Sequence, residues 1–498
     1  MISAFVNIWR VSELRDRILF TLFMVIIVRL GVHITIPGVD STVLDNWAKN
    51  YGNNGQQGNP LTAMLTVFSG GALQQAGIFA LGIMPYISAS IMIQLMTAVV
   101  PKLSKLSRED GGRQKISQWT RYLALGIASV QGFFLVRTLT NANAMDGIMP
   151  GIGKFMETTP LVPNQDFGWY AISLLIIVCG TMLLMWIGDQ MTERGIGNGT
   201  SIIIMVNIIS SLPGALILTW KTFTQGADKN PFDPLKLVFM IAFLVFVIAA
   251  VIAITQGTRK ILVQYAKRVV GKKQFGGQSQ HMPLKVNYAG VMPIIFVSAI
   301  ISLPVMLLQQ SGIRGKWVDT LANAVGQGWL YYVLGALGIF FFSYFWVSTM
   351  FQPSQIAEDL KRNGGYIPGV RPGQPTASFL DYTMTRLTFA GAIFLTIIFF
   401  LPYGVSAMMK LPQGSPIIQF FGGTSLLILV GVVLDVMRQV ETQLLQRHYD
   451  GFLRKGKLKG RYDRLAQSGN TASSTLLVYL GIIVSILGIA GAIVWFAN

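Results

Sequence analysis

Residues 235–255 read LKLVFMIAFLVFVIAAVIAIT, 21 positions in which Lys236 is the single ionisable side chain. The run is too long for a strand, which seldom passes ten residues, and it lacks the polar alternation of a half-buried one. Coiled as a helix it rises about 1.5 Å per residue and spans about 30 Å, the thickness of the hydrocarbon layer of a bilayer. It presents no polar face to water, so it reads as a membrane-crossing helix. Runs of the same kind lie near 18–37, 77–98, 122–138, 169–187, 201–219, 288–308, 329–349, 387–404, 419–437 and 475–496, eleven in all. The first is no cleavable signal: Arg10, Arg15 and Arg17 precede it, no small-residue cleavage site follows, and it runs into Ile36-Pro37-Gly38.

Composition agrees. A chain of 498 residues has room for several soluble domains, but apolar residues make up 52% and charged residues 12%, about half of the ~25% usual in a soluble domain. A disordered chain would be polar and charge-rich, and a disulfide scaffold needs more than the lone Cys179, which reads as an apolar filler in a hydrophobic helix. The chain is a polytopic membrane protein.

Lysine and arginine number 39 against 21 acidic residues, a net charge of +18. Assigning alternate loops to opposite sides puts 29 of the 39 basic residues in one set: 1–17, 99–121, 188–200, 256–287, 350–386 and 438–474. Positive loops stay inside, so this set, with the N-terminus, is cytoplasmic. Residues 256–287 carry Arg259, Lys260, Lys267, Arg268, Lys272, Lys273 and Lys285 and no acidic residue, and 350–386 contains the Pro/Gly-punctuated tip GGYIPGVRPG at 364–373, which presents Arg371. Three readings share this composition: a topology signal, a docking surface for an acidic RNA or protein, and contact with anionic lipid headgroups.

Enzyme chemistry finds no foothold. None of His33, His281 and His448 is followed by glutamate, and no Gly-Lys pair is followed by Ser or Thr, so neither a zincin motif nor a Walker A loop is present. Gly195-Ile196-Gly197-Asn198-Gly199 lacks dinucleotide-loop spacing and reads as a tight connection or helix start. Within the runs the main charged intrusions are Arg29, placed to snorkel, and Asp435, placed to pair with Arg438. A coupled solute transporter usually carries a midplane cluster of ionisable groups, so their sparseness weighs against that class.

Several stretches carry a resemblance: FSGGAL at 68–73, IFALGIMPYISASI at 78–91, TERGIGNG at 192–199, YAKR at 265–268, PLKVN at 283–287, PGVRPG at 368–373 and GGTSLLI at 422–428. In this order and at this spacing, over roughly residues 5–462, the chain resembles the SecY/Sec61-alpha family, the pore subunits of Sec protein translocases. The resemblance implies an all-α polytopic fold: a ten-helix channel of two inverted, pseudo-symmetric five-helix halves, at 1–220 and 221–445. A basic cytoplasmic tail at 446–474 and an extra C-terminal helix at 475–498 follow, the latter without a role in the family pattern. Such a channel passes unfolded secretory polypeptides across the bacterial cytoplasmic membrane and releases hydrophobic segments sideways into lipid.

Carried over by motif, the constriction falls on Ile87, Ile91, Ile204, Ile208, Ile295 and Ile428. Isoleucine on a membrane helix ordinarily faces lipid or core, so the assignment needs a check from depth. From cytoplasmic run ends near 98, 201, 288 and 437, the four residues Ile91, Ile208, Ile295 and Ile428 lie 7, 7, 7 and 9 residues in, roughly 10–14 Å along their helices. One residue type at one depth on four helices is what a ring needs. β-Branched side chains are stiff, and an apolar rim around a narrow pore dewets and blocks ions without a charged filter.

The resemblance places a plug helix over about 62–75, with Phe68, Ser69, Gly70, Gly71 and Ala72 at its centre, and a lateral gate at Gln94 and Asn287. Interhelical amide hydrogen bonds of about 0.6–2 kcal/mol would let that gate reopen, although both amides could equally be structural. It further implies SecE and SecG as companion subunits, signal peptides and nascent chains as cargo, membrane lipids around the gate, and no cofactor. Energy would come from the SecA motor or the translating ribosome, through rRNA and ribosomal proteins, docked on Arg259, Lys260, Lys267, Arg268, Lys272, Lys273 and Arg371.

Overall fold

The computed structural model describes residues 12–47, 68–106, 109, 111–142, 145, 149, 151–224, 233–265, 268–270, 273–275, 279–310, 324–325, 329–409, 417–418 and 424–454. In chain order the helices are α1 (Ser12–Val32), α2 (Ser41–Trp47), α3 (Met84–Val99), α4 (Pro101–Leu106), α5 (Gly112–Thr140), α6 (Gly153–Thr158), α7 (Phe167–Arg194), α8 (Gly199–Thr224) and α9 (Asp233–Gln256). Strands β1 (Thr258–Tyr265), β2 (Arg268–Val270), β3 (Lys273–Phe275) and β4 (Ser279–Lys285) follow. Then come α10 (Met292–Gln310), α11 (Trp329–Met350), α12 (Pro353–Arg362), β5 (Gly365–Tyr366), α13 (Gln374–Met409) and α14 (Thr424–Arg454).

Ten of the eleven apolar runs fall on helices: α1, α3, α5, α7, α8, α9, α10, α11, α13 and α14. The eleventh, 475–496, lies outside the described residues, as do the tail beyond 454, residues 62–67, Lys267 and Lys272. Among the described residues, six helical stretches are long and apolar enough to cross a membrane: Gln114–Thr140, Phe167–Arg194, Gly199–Phe223, Lys236–Gln256, Leu330–Arg362 and Gln374–Met409. Helices α13 and α14 run well past the apolar runs that announce them, because hydropathy marks only the stretch that meets hydrocarbon. Helix α3 is shorter than its run: residues 70–83 form tight turns, not helix.

The chain forms two compact units. The first comprises 1–93, 109–248 and 402–498, the second 94–108 and 249–401. In the first, α7 packs on α5, α8 and α1, and α14 packs on α8. The ion pair Arg121–Asp189, at 2.7 Å, ties α5 to α7. This unit holds a buried apolar cluster that includes Leu44, Trp47, Leu139, Met145, Met149, Ile152 and Leu161.

In the second unit α10 packs on α11, and the basic stretch after α9 is a sheet, which charge counting alone did not reveal. Its order is β4-β1-β5, antiparallel throughout, with Leu262 opposite His281 and Gln264 opposite Tyr366. Ile261 and Val263 alternate inward from β1 and join Leu284, Val347, Phe351, Ile367, Leu380 and Met384 in one core, so the sheet is rooted on α11 and α13. Strands β2 and β3 pair with each other.

Candidate functional site: an apolar constriction

All six isoleucines are buried, at 1–9% exposure. Four come as i, i+4 pairs that share a helical face. On α3, Ile87 and Ile91 are covered while Met92 and Met96 are half exposed, and on α8, Ile204 and Ile208 are covered while Ile209 and Leu216 are exposed. Ile428 lies near the start of α14. These five belong to the first unit; Ile295, one turn into α10, is buried in the second. On α3 and α8 the selected isoleucines are thus buried while neighbouring apolar residues are exposed.

Asn207 stands on the same face of α8, three residues after Ile204 and one before Ile208. It is 2% exposed, and its Nδ2 donates to the Phe68 carbonyl at 2.7 Å, across 139 residues of sequence. Arg29 of α1 donates from Nη1 to the next carbonyl but one, Gly70 O, at 3.2 Å. The expectation that Arg29 snorkels is corrected here: its guanidinium turns inward and holds backbone. Both ties grip main-chain carbonyls, so they place few demands on the sequence they hold.

The gripped segment is compact. Phe68, Ser69 and Ala72 are buried, and after the helical residues 68–69 the chain turns through Gly70 at φ 65° and Gly71 at φ 90°. Two successive left-handed residues end a right-handed helix, so the helix expected over 62–75 does not continue through its described part. Ala76 is also left-handed, at φ 44°, a strained setting for a residue with a side chain. Backbone bonds hold it there: Ile36 N donates to Ala76 O at 3.0 Å, and Ile78 N donates to Ile34 O at 2.9 Å. The Phe79 ring fits against Gly31 of α1 and Gly180 of α7, where any Cβ would collide with it or with the adjoining backbone.

The expected gate amides are both placed in the second unit. Asn287 precedes α10, is 5% exposed, and donates from Nδ2 to Gly290 O at 3.0 Å, so its observed bond closes a local turn. Gln94 is partly exposed on α3. Of the docking residues, Arg259 and Lys260 are exposed on β1 and Arg371 is exposed in the loop after β5. Arg268 lies on β2 and Lys273 on β3. The Arg371 loop is fixed: Thr376 Oγ1 donates to Arg371 O at 2.8 Å, and Tyr366 Oη donates to Gln264 Oε1 of β1 at 3.0 Å. Two basic loops far apart in sequence thus hang on a single sheet. Among the described residues no cluster of three metal-ligating side chains occurs.

Sequence reading missed Asn207 and Arg29 as anchors. The signal for Asn207 was present: a lone amide in an apolar helix, at i+3 from one selected isoleucine and adjacent to another.

Comparison with known proteins agrees with this architecture. The sequence model described as SecY matches residues 77–437. The protein translocase subunit SecY of Escherichia coli K12 is 42% identical over 454 residues, covering 90% of this chain and 96% of that protein. Among solved structures, a SecY whose plug domain stabilises the closed state of the translocation channel superposes with a TM-score of 0.55 at 16% identity, over 86% of this chain and 92% of that one. Sec61 in a canine ribosome–channel complex gives 0.52 at 15% identity, over 86% and 92%. With a match over well more than half its length and a relative of this identity and coverage, the chain belongs to the SecY family.

Proposed function

We propose that this protein is the central protein-conducting subunit of a Sec translocon, an energy-passive channel for unfolded secretory polypeptides that also releases hydrophobic segments into lipid. The observation that carries the reading is Asn207. It puts a hold on the Phe68 carbonyl on the same helical face as two buried isoleucines, coupling an apolar rim to the segment that would stopper it. In this reading Ile87, Ile91, Ile204, Ile208 and Ile428, with Ile295 added by sequence resemblance, form a dewetting collar. Phe68 to Ala72 is the plug; Gln94 and Asn287 belong to the lateral gate. The five-helix halves are 1–220 and 221–445, followed by a cytoplasmic tail and an eleventh span.

The exposed basic residues Arg259, Lys260 and Arg371, together with Lys267, Arg268, Lys272 and Lys273, form the docking face for the ribosome or the SecA motor. The canine Sec61 relative seen in a ribosome–channel complex supports the first partner. SecE and SecG complete the complex in a bacterial cytoplasmic membrane with the N-terminus inside, as the 29 basic residues in one set of loops indicate.

The test is a reconstituted complex in planar bilayers and proteoliposomes. Ile428→Asn and Ile91→Asn each wet the collar, raising ion leak at rest and admitting substrates with defective signals. Parental conductance and parental signal stringency in both variants would sink the collar.

A further inference from the structure

The Gly195–Gly199 connection, read from sequence as a tight turn, is a junction of four helices. Five of its backbone N–H groups, or those just after it, are taken by side-chain oxygens. Ile196 N donates to Thr21 Oγ1 of α1 at 3.3 Å, Gly197 N to Gln439 Oε1 of α14 at 2.8 Å, and Gly199 N to Thr192 Oγ1 of α7 at 2.8 Å. Thr200 N and Ser201 N donate to Asn198 Oδ1 at 3.1 and 3.4 Å, capping α8. An exposed helix start of this kind ordinarily offers its N–H groups to an anion, but here they are occupied by the protein itself. Leu14, Ile196 and Val440 pack as a small core beside the junction, with Ile18 and Val436 against it. Gly197 has φ 80° and lies against Val436, so a side chain there would meet backbone strain and a tight contact.

The position of the Gln439 bond matters more than its strength. Gly197 precedes Ile208 by 11 residues, and Gln439 follows Ile428 by 11. Alternating spans run α8 and α14 in opposite directions, so both isoleucines lie about 14–17 Å along their helices from one shared bond. We propose that Gln439 is a positioning residue, whose bond to Gly197 fixes the axial register of α14 against α8 and so keeps Ile428 level with Ile208. The consequence for sealing rests on the collar reading above; the register itself does not. Only the acceptor oxygen is used, so glutamate preserves the bond, whereas leucine keeps the bulk and removes it.

The experiment uses the full chain in its intact complex, in a Cys179→Ser background because Cys179 is exposed and would take label. Nitroxides at Leu216→Cys on α8 and Val433→Cys on α14, both exposed, report register as a pulsed-EPR distance. Loss of one hydrogen bond should raise the slipped population about 2- to 10-fold. Gln439→Leu is therefore expected to broaden or shift the distance by up to about 5 Å, one helical pitch, and to raise resting leak, while Gln439→Glu does neither. A parental distance in Gln439→Leu, or the same change in both variants, overturns the proposal. Ile428→Asn measured alongside separates the two ideas: if it stays tight the collar reading falls, and the distance still decides the register.

Discussion

Asn207 is costly to bury and is retained on an apolar helix at 2% exposure, which makes its one long-range bond the natural target. The bond has a direction: Nδ2 donates and the Phe68 carbonyl accepts. Asn207→Ala leaves that buried carbonyl unpaired, a penalty of about 1–3 kcal/mol on the seated segment. Asn207→Asp likewise takes the donor away from that carbonyl despite its near-identical shape. Both variants are expected to leak more ions at rest than the parent. Equal leak in all three would mean that the bond does not hold the segment. Gly70 supplies a second contrast with its neighbour. Both glycines are left-handed, so alanine costs about 1–2 kcal/mol at either. A Cβ on Gly70 would also strike Asn207 Oδ1 and crowd Arg29 Nη1, whereas around Gly71 nothing lies within 4 Å. Gly70→Ala should therefore loosen amide-exchange protection of residues 68–73 more than Gly71→Ala does. The reverse ranking would contradict the packing described.

At the scale of elements, the long apolar runs were legible because a bilayer accepts few alternatives: ten of the eleven runs fall on described helices, and the eleventh lies outside the described residues. Irregular backbone was not. Residues 77–83 are as apolar as a span, but their course is set by Gly70, Gly71 and Gly82 at positive φ and by bonds to residues 34 and 36, far away in sequence. The sheet after α9 was hidden for another reason. Its basic residues dominate any composition window, and the alternation that marks a strand is only two buried residues long, Ile261 and Val263. The six isoleucines proposed as a collar were singled out only through family resemblance and depth, since isoleucine itself is uninformative in a membrane; what the structure adds is that all six are buried. Short caps obey local chemistry alone. Asp40 Oδ1 accepts from Thr42 N at 2.9 Å and from Thr42 Oγ1 at 2.7 Å at the start of α2, and these bonds hold its carboxyl below the usual carboxylate value. A depressed value contributes stability above the unfolded pKa and loses it as pH falls through the folded one. The Thr42 amide should therefore keep its exchange protection through pH 5 and lose it only in stronger acid. Asp40→Ala should lack that protection at every pH, and loss of protection near pH 6 in the parent would refute the cap.

Over the whole molecule, charge is distributed unevenly. With 12% charged residues, the basic excess concentrates in one set of loops, and in the proposed reading it both orients the chain and offers a surface to anionic partners. The sheet gives part of this surface a rigid form. Arg259 and Lys260 stand on β1, and Arg371 follows β5, which pairs with β1 through Gln264 and Tyr265. A partner that engages one loop meets the other at a fixed spacing, without the ordering cost of two free loops. If that partner is the ribosome, each phosphate contact releases counterion, and binding falls with salt in proportion to the number of contacts. Arg371→Ala should lower ribosome affinity for proteoliposomes severalfold and flatten the log–log salt slope by about 1, or by about 0.7 for single-stranded RNA. Arg371→Glu should weaken binding further, while the chain still inserts and Ile428-dependent sealing stays intact. Removing Arg259 as well should flatten the slope a second time, because two charges on one rigid sheet reach the same partner. An unchanged slope in the single variant would take Arg371 out of the docking face. A slope that moves for Arg371 and not for Arg259 would confine docking to the loop after β5 and leave the hairpin charge to topology.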